Sequence, residues 1–81
     1  MDSELRRTLD HIYIKLFGAY MGRFMGDKTT GEYTRKLLDR VIKIASQNNG
    51  IEFKRLAYLA AEAKESGDAA AVVDALEEML E

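Results

Sequence analysis

Residues 29–50, TTGEYTRKLLDRVIKIASQNNG, contain a helix start, a helix face and a helix stop in order. Thr29 and Glu32 stand three apart, the spacing of a capping box in which a hydroxyl accepts from an exposed amide and a carboxylate reaches back. Tyr33, Leu37, Leu38, Val41, Ile42 and Ala45 then recur at helical spacing on one side, a stripe wide enough to pack on a core. Asn48-Asn49-Gly50 supplies residues that tolerate the left-handed backbone at a helix C-terminus. A helix over 30–47 is predicted.

The same reading extends in both directions. Upstream, Ser3 is a candidate N-cap, and Leu5, Leu9, Ile12 and Leu16 follow at steps of four, three and four, predicting a helix over 3–25 that ends at Gly26. Downstream, Phe53, Leu56, Ala57, Ala60 and Ala63 define a helix over 51–66. Ser66-Gly67-Asp68 then joins a C-terminal glycine to an N-cap. Ala69, Val72, Val73, Leu76, Met79 and Leu80 face inward on a last helix over 68–80, while Asp74, Glu77, Glu78 and Glu81 face out. Short connections favour antiparallel neighbours, so the expectation is an all-α, compact antiparallel bundle of four helices in a single domain.

At 81 residues, with no Cys, no Pro, no Trp and one His, the chain must be stabilised by its core, because no disulfide is possible. The missing cysteines and lone histidine remove zinc fingers, iron–sulfur ligation, thiol nucleophiles and a Ser-His-Asp triad with a spare base. No metal or other cofactor is expected. The carboxylates Asp74, Glu77, Glu78 and Glu81 lack the glycine-bearing loop of a calcium site. Gly26-Asp27-Lys28-Thr29 lacks the glycine spacing and preceding strand of a phosphate loop. His11 reads as a surface side chain. The apolar run from Ile12 to Gly26 is broken by Lys15 and Arg23 and is too short to span a bilayer. No secretory leader is read at Met1-Asp2-Ser3-Glu4, and a cytoplasmic protein is expected.

Two surface features suggest binding. Residues 1–45 hold nine basic and six acidic side chains and residues 46–81 three and eight, so the halves carry +3 and −5. Lys36, Arg40 and Lys43 form a basic row opposite the apolar stripe of the second helix, with Arg35 beside it. They could meet phosphates, or simply face solvent, supported by Glu32 with Lys36 and Arg35 with Asp39. On the first helix Gly18, Gly22 and Gly26 recur every fourth residue, although glycine costs about 1 kcal/mol relative to alanine inside a helix. Gly18 and Gly22 share a face with Arg7, His11 and Lys15. That face could receive another helix, a nucleic-acid backbone reaching Lys15 and Arg23, or the alanine-rich third and fourth helices of the same chain. Leu16, Phe17, Tyr20, Met21, Phe24 and Met25, with Ile12, Tyr13 and Ile14 before them, spread apolar surface around most of this helix. That predicts either a central buried helix or an interface for a partner protein or a second copy.

Thr29-Thr30-Gly31-Glu32-Tyr33-Thr34-Arg35-Lys36-Leu37-Leu38, Phe53-Lys54-Arg55-Leu56-Ala57-Tyr58-Leu59-Ala60 and the Ala19-Tyr20 to Gly26 segment together resemble the helical small subunit of type III CRISPR effector complexes. The chain departs from that pattern at Ala61-Glu62, where Gly-Arg is usual, by one extra residue between the Thr-Thr pair and Arg35, and in segment order. The resemblance implies a non-catalytic RNA-binding subunit. Arg35, Lys36 and Arg40, with Lys54 and Arg55, would then lie on phosphates and position a duplex without reading its sequence. The other reading is an adaptor, inhibitor or engineered binder that docks a protein through the aromatic face of the first helix. A membrane-surface role for Tyr13 to Met25 ranks last, since its polar side has few basic residues.

Overall fold

In a computed structural model of the chain, backbone structure is described for residues 1–24 and 30–81, and side chains for 1–21 and 31–81. Four helices follow one another: α1 (Ser3–Phe24), α2 (Thr30–Ser46), α3 (Ile51–Ser66) and α4 (Ala70–Leu80). Backbone contacts join α1 to α2, α2 to α3, α3 to α4 and α4 back to α1, while among the described residues the backbones of the diagonal pairs stay apart. The result is a four-helix bundle closed as a ring. Cross-helix contacts fix the directions. The Arg35 guanidinium near the start of α2 donates to the Lys64 carbonyl near the end of α3 at 3.4 Å. Arg55, early in α3, meets Glu78, late in α4, at 3.5 Å. Arg6, early in α1, donates to the Leu80 carbonyl at the end of α4. Neighbours therefore run antiparallel, as short connections require.

The core is the meeting of one stripe from each helix. Leu9, Ile12 and Leu16 from α1, Leu38 and Val41 from α2, Leu56 from α3, and Val72 and Leu76 from α4 are fully buried. Ala45, Ala60, Ala63, Ala69 and Ala75 fill the gaps, and no polar or charged residue is buried among those described. Small residues between the leucines let the helices approach closely. Tyr33, expected in the α2 stripe, is instead 46% exposed, because it lies at the stripe's margin. Ala75 completes the α4 stripe, its small apolar side chain buried beside Val72 and Leu76 although it is not among the expected inward residues.

The helix ends differ from expectation in instructive ways. Asp2, not Ser3, caps α1: its carboxylate accepts from the Glu4 amide at 3.2 Å and its carbonyl from the Arg6 amide at 2.9 Å. Ser3 is already helical. Asn48 and Asn49 do not turn left-handed to end α2. The Asn48 side-chain amide donates to the Ile44 carbonyl at 2.8 Å, occupying an orphan acceptor directly. Gly50 adopts φ 129, which only glycine takes up readily, and opens α3. Gly67, at φ 78, closes α3, its amide donating to the Ala63 carbonyl at 2.8 Å. Helix α4 begins at Ala70, two residues later than expected, because Asp68 spends its carboxylate on an Asx turn to the Ala70 amide at 3.0 Å. The expected caps at Gly26 and Thr29 lie outside the described residues.

The ring arrangement places most stability in the leucine layer. Leu16→Ala should cost about 2–5 kcal/mol through lost transfer and the cavity left behind. In a domain this small that is a large share of the total. A clear fall in the urea midpoint is the expected result; a midpoint within error of wild type would contradict the packing.

Candidate functional site

Helix α1 is not central. It occupies one corner of the ring, its described backbone close to α2 and α4, so part of its circumference is left to solvent. Two apolar stripes share the helix. The inner one, Leu9, Ile12 and Leu16, is fully buried. On the far side Ile14 (62% exposed), Phe17 (44%), Gly18 and Met21 (45%) stand at steps of three, one and three, the spacing of a helix-packing seam. Tyr13, half-buried at the core margin, joins the two: its ring lies 6.0 Å from that of Phe17.

Gly18 settles one question left open by the sequence. A Cβ built there would meet nothing within 4 Å, so the glycine does not make room for α3 or α4 of its own chain. It leaves a shallow point in the seam, beside Phe17. Tyr20 is half-buried and packs on the core, so it serves the fold more than the seam. The side chains of Phe24 and Arg23, with Gly22, lie outside the described residues.

Arg7, His11 and Lys15 are all exposed and reach the Gly18 side of the seam at steps of four, four and three. None of the three makes a hydrogen bond or ion pair among the described residues. Asp10 is exposed near Phe17.

The basic residues of α2 and α3 divide into two groups. Lys36, Arg40 and Lys43 project from the exposed face of α2, opposite Leu38, Val41 and Ala45, with Lys36 3.8 Å from Glu32. Arg35 and Arg55 are committed elsewhere, to the Lys64 carbonyl and to Glu78. The expected Arg35–Asp39 pair does not form. Asp39 is taken by Lys64 across the α2–α3 interface, where a partly covered cation makes the better partner. Lys54 is exposed on α3, a different helix from the row, and Lys15 lies on α1.

A cleft of about 690 Å³ opens where α1 ends and α2 begins, beside Thr34, Arg35, Leu38, Ala63 and Lys64. Its two cations are held by neighbours, and Glu32, Glu65, Thr34 and Ser66 share the rest of its wall with small and apolar residues. Among the described residues no group of three or more His, Asp or Glu could hold a metal ion. No described helix is long and apolar enough to cross a membrane. The Tyr58 hydroxyl donates to Glu62 at 3.1 Å, and that bond, with the nearby carboxylate charge, raises its pKa above the usual tyrosine value.

If the seam serves something outside the fold, its residues can change at little cost to stability. Gly18→Ala should stabilise the protein by about 0.5–1 kcal/mol, since the helix gains propensity and the Cβ meets nothing. Ile14→Glu with Met21→Glu should move the thermal midpoint by only a few degrees. A loss comparable to that of Leu16→Ala would show the seam to be structural. The chain matches no family model, no curated protein and no solved structure.

Proposed function

We propose that this protein is a non-catalytic helical binding and assembly module that docks another protein through the outer face of α1. The observation that carries the reading is the second apolar stripe: Ile14, Phe17 and Met21 lie in water at helix-packing spacing on a helix whose core stripe is already satisfied. Burying a side chain of that size is worth about 1.5–3 kcal/mol, and the fold leaves much of that gain unrealised at three neighbouring positions. Scattered exposed apolar residues are ordinary; a seam in register on one helix is a docking surface. Gly18 at its centre lets a partner backbone come close.

A second reading is favoured by a separate observation, the exposed row Lys36, Arg40 and Lys43 on α2. In that reading the module lies along an RNA backbone, as the likeness of residues 29–38 and 53–60 to the CRISPR small subunit implies. It ranks second because the row is only three cations long, one of them near Glu32, and because Arg35 and Arg55 are already engaged.

Fluorescence anisotropy separates the two. A labelled four-turn peptide with a leucine seam and uncharged glutamine flanks should bind wild type and lose at least about tenfold in affinity against Ile14→Glu/Met21→Glu. Equal binding by the variant, or none by wild type, overturns the docking role. A labelled RNA duplex should bind weakly. RNA affinity that falls with added salt at a log–log slope near about −3, the value for three phosphate contacts, and is abolished by Lys36→Glu/Arg40→Glu/Lys43→Glu, would establish the second reading instead.

A further inference from the structure

We infer that the occupant of the α1 seam is an amphipathic helix of a different protein, its apolar stripe edged by carboxylates. This rests on the docking role proposed above and specifies the partner. The steps of three, one and three from Ile14 to Met21 are those a second helix interdigitates with. From Arg7 to Met21 the face runs about 21 Å at 1.5 Å per residue, which is four turns. Charge supplies the other half of the specificity. Arg7 and Lys15, with His11 between them, edge the seam on its Gly18 side and are unpaired among the described residues, while the carboxylates on this side of α1 are Asp10, near Phe17, and Glu4, one turn before Arg7. A partner carrying Glu or Asp along the matching edge would pair with cations that the fold leaves free.

A second copy of the chain does not offer that combination. Its own α1 brings the same basic edge. Its acidic surface on α4, formed by Asp74, Glu77 and Glu78, surrounds Ala71 and exposes no large apolar side chain. Helix α3 exposes Ile51 and Tyr58, but Lys54 and Arg55 stand between them and would meet cations. Among the described residues, the α3 face around Ile51 and Tyr58 also carries Glu62 and Glu65, so its edge is mixed in charge and complements Arg7 and Lys15 less well than a partner helix edged by carboxylates alone.

Three peptides with one leucine seam and flanks of glutamate, glutamine or lysine test the assignment by anisotropy at low salt. Wild type should bind the glutamate peptide about five- to tenfold more tightly than the lysine peptide, and the gap should close as salt is raised. Arg7→Glu/Lys15→Glu, checked for native helicity, should invert the order. Equal affinities for all three peptides would overturn the acidic edge while leaving the docking role intact. Failure of all three would overturn both. A dimer in sedimentation that Ile14→Glu/Met21→Glu dissolves would assign the face to a second copy, and seam-dependent binding to phosphatidylserine vesicles would assign it to a membrane; either result overturns the proposal.

Discussion

A chain of this length without cysteine has one means of holding a unique shape, the burial of an apolar stripe from each helix against its two neighbours. That requirement sets the rest. With backbones close around the ring and, among the described residues, none close across it, the side chains of Leu9, Ile12, Leu16, Leu38, Leu56 and Leu76 fill the axis. Each helix consequently keeps an outer face that the core cannot use. The character of those four outer faces is then free to be set by something other than folding. They differ sharply: α2 is basic, α4 acidic, α3 mixed and α1 apolar with a basic edge.

Periodicity made the inner faces legible. Helices α2 and α4 each carry one dominant apolar stripe against a charged back, and α3 does so apart from Ile51 and Tyr58, so the inward direction could be read from residues such as Leu37, Leu38 and Val41 or Val72 and Leu76. Helix α1 could not be read this way. Leu9, Ile12 and Leu16 compete with Ile14, Phe17 and Met21, both sets at helical spacing, and sequence has no term for which set three other helices will cover. A central position looked as reasonable as a corner. Only the ring, in which the described backbone of α3 stays apart from that of α1, decides it, and the open space at Gly18 makes that glycine surface and not a packing contact.

The caps were legible as positions but less so as chemistry. The breaks near Asn48 and Gly67 were marked by residue type, yet the competing ways to satisfy an orphan carbonyl or amide lie within about a kcal/mol of one another. Asn48 uses its side chain where its backbone was expected to turn, Asp2 displaces Ser3, and Asp68 makes a turn two residues before the helix it was expected to open. The pairing of the cations shows the same sensitivity. Arg35 and Asp39 are correctly spaced on α2, but each finds its partner on α3, because an interhelical contact is partly shielded from water and an exposed i, i+4 pair is not.

The outer face of α1 bears on function because it is hard to explain as a consequence of folding. A surface optimised only for stability would carry alanine at Gly18, where the space is open, and polar residues at Ile14 and Met21, where burial gains nothing. Natural chains depart from such local optima at the places where they touch something else. Here three departures fall on one face of one helix, within two turns, beside the unpaired Arg7 and Lys15. On α2 the exposed charged residues obey the ordinary rules for a solvated helix, including the Glu32–Lys36 pair, and Tyr33 is a lone exposed ring, so its cations need no external partner to account for them. That contrast, more than the number of charges on either helix, is why the apolar seam outranks the basic row as the site of binding.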